Sequence, residues 1–195
     1  MRRLVPLMVV LTVSAAACSS APQELAGYVR IPAPVAGGLS LPDAAAGGTE
    51  SFLRAAPGNL LLVYFGFGSC PDVCPATLAD IRSALRLLGD DASRVEVAMI
   101  TVDPGRDTGE VLTAYVRSFI PGARALRTED ETALLAVAEA LGASYVVSVS
   151  PDGDVDVAHT AHVYLLDDRG ELLVTWPFGI DSPEMASDLR ILLGR

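Results

Sequence analysis

Six consecutive apolar residues, Leu60-Leu-Leu-Val-Tyr-Phe65, constrain this chain more than any other stretch. Pro57-Gly58-Asn59 bounds the run on one side and Gly66 on the other. With no polar alternation, a strand of this kind has no face for water. It belongs at the centre of a sheet covered on both sides by helices. The sequence just beyond it agrees. Between Ala76 and Leu88, the residues Leu78, Ile81, Leu85 and Leu88 recur at steps of three and four, which is one stripe of a helix, and Gly89 is placed to end it.

The remaining elements follow by the same logic. Val95–Val102 predicts a second strand, and Thr108 caps a helix running to Phe119 before Pro121-Gly122 stops it. Another helix is expected from Thr132 to Leu141, closed by Gly142. Tyr145–Val149 and Val155–Val157 flank the turn residues Pro151-Asp152-Gly153, and Val163–Leu166 and Leu172–Trp176 flank Asp167-Asp168-Arg169-Gly170. Both pairs read as hairpins. Ser182 is expected to cap a last helix, with Pro183 at its first position. Upstream, Tyr28–Ile31 reads as a short first strand, and the glycines and prolines of residues 32–48 read mostly as loop. Early alternation implies parallel strands with right-handed crossovers, and the late hairpins add antiparallel ones. The expectation is an α/β three-layer sandwich with a mixed central sheet, in one domain of a 195-residue chain.

The chain has 14 arginines, no lysine and 24 acids, a formal charge of −10. No basic cluster exists, so nucleic acid is excluded as a partner, whereas a cation is not repelled. At the start, Arg2-Arg3 precedes the apolar stretch Leu4–Val13, and Ala15-Ala16-Ala17-Cys18 follows. The apolar run falls short of the roughly 20 residues of a membrane crossing and reads as an export signal. Small residues directly before a cysteine fit a bacterial lipoprotein site, although Ala15 stands where leucine is common. On this reading residues 1–17 are the signal peptide and Cys18 is the lipidated first residue. Residues 18–25 are then a tether, and 26–195 the folded domain, held at the extracytoplasmic face of the bacterial cell membrane. Ordinary secretion with a free Cys18 is the competing reading. Lipidation of Cys18 leaves Cys70 and Cys74 as a pair.

That pair lies in Gly66-Phe-Gly-Ser-Cys-Pro-Asp-Val-Cys-Pro75, just past the carboxyl end of the central strand, where open α/β sheets bind ligands. Four residues apart on a helical turn, the two sulfurs share a face about 6 Å apart at the Cα atoms. This spacing suits a disulfide or two thiolates on one metal, and a helix start favours the thiolate. His159 and His162 are the only histidines, both near the strand Val163–Leu166. Two cysteines and one imidazole form a soft trigonal set that suits Cu(I), with Cu(II) or zinc as alternatives. Spacing alone does not choose between the histidines. Asp152, Asp154 and Asp156 alternate, but a calcium loop needs Gly at the position of Val157 and Glu at that of Val163.

Three stretches together resemble the SCO1/SenC family of copper-binding proteins: Tyr64–Leu78 around the cysteines, Thr101–Thr108, and His159–Asp167. The resemblance runs from about residue 26 to the C-terminus and implies a thioredoxin-like fold with an extra hairpin. It implies copper, as Cu(I) or Cu(II), on Cys70, Cys74 and His159, with Asp72 and Asp103 in support. It selects His159 over His162, which is left a surface or outer role. Ala158 departs from the family, where an aspartate commonly precedes the histidine. The implied partner is cytochrome c oxidase subunit II, or another copper protein, whose dinuclear centre the protein would help assemble; a monomer is expected. The second hypothesis is a thiol–disulfide oxidoreductase using Cys70 and Cys74 as redox residues on a client's cysteines. Its usual motif has two residues between the cysteines, whereas this chain has three. A one-cysteine peroxidase and a copper sensor are further readings of the same residues.

Overall fold

The computed structural model describes residues 24–194. The Gly/Pro-rich segment expected to be loop contains a hairpin: β1 (Ser40–Asp43) and β2 (Thr49–Phe52) pair antiparallel around a single 3-10 turn at Ala44–Ala46. The strand was hidden because its inward residues are Leu41 and an aspartate. Asp43 is buried, and its Oδ1 accepts from the N–H groups of Ala45 (3.0 Å) and Ala125 (2.9 Å). A buried carboxylate satisfied in this way substitutes for an apolar side chain in the alternation. Conversely, Tyr28–Ile31 forms no strand. Tyr28 makes one isolated bridge to Thr175, and Val35 another to Glu171.

The apolar run forms β3 (Leu60–Gly66), buried at every position, and leads into α1 (Val73–Leu88). Then come β4 (Val95–Thr101), α2 (Gly109–Phe119), β5 (Arg124–Leu126) and α3 (Glu131–Leu141). The hairpin β6 (Tyr145–Val149) and β7 (Val155–His159) precedes β8 (Val163–Leu166), β9 (Leu172–Trp176) and α4 (Ser182–Leu193). Seven strands make one mixed sheet in the order β2-β1-β5-β4-β3-β8-β9, and β6–β7 stands apart as a two-stranded ribbon. The β3–β4 and β4–β5 pairs are parallel, and β3–β8 and β8–β9 antiparallel. Helix α1 packs against α2 and α4, while α3 packs on β1 and supplies Leu134, Val137, Ala138 and Leu141 to the core. The expected three-layer α/β sandwich with a mixed sheet and an additional hairpin is the observed fold.

Further elements differ from expectation, and β5 was not expected at all. Strand β5 has three residues, too short to show alternation. Helix α3 begins at Glu131 because the Asp130 side chain caps it, accepting from Ala133 N–H at 3.1 Å. Helix α4 is capped by Asp181 rather than Ser182. Asp181 accepts from Glu184 N–H (2.9 Å) while the Glu184 carboxylate accepts from Asp181 N–H (3.1 Å), a reciprocal capping box with Pro183 in the first turn. Thr108 caps α2 as expected. Residues 1–17 and Cys18, with the signal and lipid readings, lie outside the described residues. Among those described, no helix is long and apolar enough to cross a membrane.

Candidate metal centre

Gly66 ends β3, and its carbonyl accepts from Val102 N–H at 3.0 Å, so the carboxyl ends of β3 and β4 are locked together. Beyond it, Phe67-Gly68-Ser69-Cys70 forms a turn closed by Cys70 N–H on Phe67 C=O at 3.3 Å. Sequence spacing puts both cysteines on one helical turn; only Cys74 is there, as the second residue of α1. Pro71 disfavours helical geometry at the residue before it, so Cys70 stays in the turn. The sulfurs still meet. Cys70 Sγ accepts from Cys74 N–H at 3.3 Å, next to the first turn of α1. Both thiols are free; Cys74 is fully buried and Cys70 partly so.

His159 is the last residue of β7, paired with Tyr145 on β6, and the ribbon brings it over the cysteines. Its Nε2 lies 3.6 Å from Cys74 Sγ, and one donor atom from each of Cys70, Cys74 and His159 falls within 4.8 Å of the other two. The other ring nitrogen, Nδ1, lies 3.2 Å from Thr160 C=O. A carbonyl only accepts, so Nδ1 carries the proton and the Nε2 lone pair faces the sulfurs. Burial lowers the His159 pKa, the Thr160 carbonyl opposing it, so the ring is neutral at physiological pH. That backbone carbonyl orients the imidazole from outside the donor set. Tyr64 and Phe67 pack edge-on against the ring at 6.0 and 5.9 Å between centroids.

Burial opposes an uncompensated negative charge on Cys74. Burial pushes the Cys74 thiol up to about 12. Burial, and then the neighbouring Cys74, also raise Tyr64. The buried Tyr64 hydroxyl has no hydrogen-bond partner of good geometry, and Cys74 and Thr77 are its polar neighbours. An anionic sulfur at Cys74 would give that O–H an acceptor. A metal that displaces the Cys74 proton therefore repairs an orphaned donor. Metal–sulfur bonds of about 2.3 Å and metal–nitrogen bonds of about 2.0 Å suit a 3.6 Å donor separation. The residues present fit a thiophilic ion.

The other expected residues are placed differently. Asp72 precedes α1, exposed and with its side chain bonded to no helix N–H, on the rim of a cleft of about 530 Å³ over Cys70 and His159. Asp103 is buried outside the donor cluster and ion-paired to Arg106. Arg106 in turn lies over the Phe67 ring at 5.9 Å. The Asp103 carboxylate faces Arg106 rather than the donor atoms. His162 packs between Tyr28 and Tyr164, each 6.2 Å away between ring centroids, and joins no donor cluster.

A model of the family described as SCO1/SenC matches residues 47–194. The chain belongs to the SCO1/SenC family. A SCO2-like protein of Rickettsia prowazekii is 35% identical over 130 residues, covering 66% of this chain and 63% of that relative. The chain thus spans less than two thirds of that relative's length. ScoI of Bradyrhizobium japonicum, solved with copper bound, aligns with TM-score 0.67 at 32% identity over 78% of this chain and 96% of that one. Apo Sco1 of Thermus thermophilus aligns with TM-score 0.75 at 28% identity over 89% and 99%. SCO1/SenC membership and the thioredoxin-like architecture both agree with the resemblance seen in the sequence.

Sequence reasoning missed the SCO1/SenC site's immediate surroundings. The Thr160 carbonyl carries no sequence signal, since every residue has one. Tyr64 reads as core because it is core, and only its unpaired hydroxyl marks it. Gly66 is required by space: a Cβ there would lie 2.8 Å from Tyr64 Cε1 and 3.0 Å from Cys74 Sγ. A glycine at the end of a buried strand, just before a cysteine loop, is the signal that was available.

Proposed function

We propose that this protein is a copper carrier. It holds one copper on Cys70, Cys74 and His159 and assists assembly of the dinuclear copper centre of cytochrome c oxidase subunit II, or of another copper protein. The observation that carries the reading is the convergence of two thiols and a neutral Nε2 lone pair within 4.8 Å, beside a hydroxyl in need of an anion. Copper bound to ScoI of Bradyrhizobium japonicum, in the same family, supports it. Structural zinc takes four ligands, and among the described residues the cluster offers three, which favours Cu(I). Three ligands also leave a side open to an incoming client thiolate, and the cleft over Cys70 provides the approach. Lipidation of Cys18 at the extracytoplasmic face would hold the carrier on the membrane of its client. The decisive experiment is anaerobic Cu(I) titration of the reduced domain from Glu24 onward, read by metal analysis and X-ray absorption. One copper per chain with two sulfurs and one nitrogen is expected, and the absence of tight copper overturns the assignment.

The unequal exposure of the thiols favours one second reading, a thiol–disulfide oxidoreductase. The accessible Cys70 thiolate would attack a client disulfide, forming one S–S bond and expelling a client thiolate. The buried Cys74, deprotonated, would then attack Cys70, releasing the second client thiol and leaving Cys70–Cys74 oxidised. Failure to bind copper, with stoichiometric reduction of a client disulfide, would select this reading.

A further inference from the structure

The fold holds a buried carboxylate that neither reading uses. Asp107 is 1% exposed, and its side chain faces the cysteine loop. Both of its oxygens accept from Gly68 N–H, at 3.1 and 3.0 Å, and Oδ2 also accepts from Thr101 Oγ1 at 2.6 Å. Gly68 is the second residue of the turn that starts at Phe67 and ends at Cys70. That turn sets both a ring against His159 and a sulfur against Cys74. One carboxylate therefore grips the turn at the residue between its two functional ends.

The carboxylate is itself anchored. Asp107 N–H donates to Asp103 C=O at 3.0 Å, closing the loop after β4. Arg127, in the segment after β5, reaches back into that loop. Its Nε donates to Asp107 C=O (2.7 Å) and its Nη2 to Pro104 C=O (2.9 Å). Thr101, the other side-chain partner, is the last residue of β4, so the grip is referred to the sheet itself. The contact is also tight: a Cβ on Gly68 would come within 2.9 Å of Asp107 Oδ1.

We infer that Asp107 is a positioning residue for the metal centre, holding the Phe67–Cys70 turn so that Cys70 completes a three-donor set with Cys74 and His159. It touches no ligand atom and acts through Gly68. The inference rests on the copper reading for one of its readouts and is independent of it for the other. Asp107→Asn keeps the shape but offers one acceptor oxygen where two are used. Gly68→Ala disturbs the same contact from the opposite side. Each variant is expected to weaken Cu(I) binding about 10- to 100-fold, the range for loss of an outer partner of a ligand. X-ray absorption should show one sulfur lost while the nitrogen is kept. In the metal-free, reduced protein, each variant should speed alkylation of Cys70 severalfold and leave Cys74 unchanged. The double variant should be no worse than the poorer single one, because both break one contact. Thermal unfolding is followed in parallel, since a merely structural role would lower the midpoint and leave affinity and Cys70 reactivity alone. Affinity within twofold of the parent and an unchanged alkylation rate in both variants would overturn the inference. If the parent itself binds no copper, the copper reading falls, and the alkylation rates still decide the role of Asp107.

Discussion

Cys74 has to lose a proton before it can hold a metal, and burial makes that proton hard to lose. In the metal-free protein its thiol is pushed up to about 12, so copper binding displaces a proton across the whole physiological range. His159, lowered by burial, is neutral above its ordinary value of about 6.5 and adds no proton there. The sign follows: removing protons favours the copper-bound form. Apparent Cu(I) affinity should therefore rise at least about tenfold per pH unit between pH 7 and 9. Competition titrations at three pH values check this, and a flat profile counts against Cys74 as a ligand. Tyr64→Phe removes the hydroxyl poised to donate to the Cys74 thiolate. It should shift the sulfur-to-copper charge-transfer band of the Cu(II) form and weaken binding by several-fold, with the fold retained. His159→Ala should cost more than the about 10–100-fold typical of an outer partner, and His162→Ala far less. At this scale the cysteine pair was legible from spacing, and the family motif chose the histidine. What spacing could not show is that a backbone carbonyl at Thr160 aims the ring, or that Asp103 spends its charge on Arg106.

Elements place these residues, and two contacts between elements show how. Gly66 lets the end of β3 pass against α1. Gly66→Ala would drive a methyl group into Tyr64, Cys74 and Met99, an overpacking that should cost about 1–3 kcal/mol and displace Cys74. Chemical denaturation and Cu(I) affinity should both report it. At the β9 edge of the sheet, buried Asp188 on α4 accepts from Trp176 Nε1 (2.8 Å) and from the N–H groups of Ala26 (3.0 Å) and Gly27 (3.1 Å). Asp188→Ala orphans three donors at once and should cost about 3 kcal/mol, without altering copper affinity, because the site lies beyond β3 rather than β9. Long apolar or periodic segments such as β3, β4 and α1 were legible because burial on one or both faces dictates their pattern. Strands β1 and β5 were not, because they are short and one uses a satisfied aspartate as an inward residue. The cap of α4 was misplaced by one residue because Ser182 and Asp181 are both good caps, and only Glu184 decides between them by completing the reciprocal pair.

At the scale of the whole molecule, the anchor proposed at Cys18 can be tested apart from the metal site. The chain's formal charge of −10 is repelled by anionic lipid headgroups, and among the described residues no helix is long and apolar enough to cross a bilayer. On the reading proposed above, attachment falls to the N-terminal segment. If Cys18 is the lipidated first residue, protein extracted from the membrane fraction should begin at Cys18 and carry the extra mass of a lipid. Replacing residues 1–23 with a cleavable export signal should then move the protein to the soluble fraction. Its Cu(I) affinity should stay the same, because every donor and every residue orienting a donor lies beyond residue 60. Separating anchorage from metal binding in this way also tests the carrier reading. The released protein should load a subunit II fragment normally in solution but assemble copper centres poorly in cells if an anchor confines the search to the membrane surface. A truncated domain that stays on the membrane would show that some face of the fold binds lipid or a membrane protein directly, and the role assigned to Cys18 would fall.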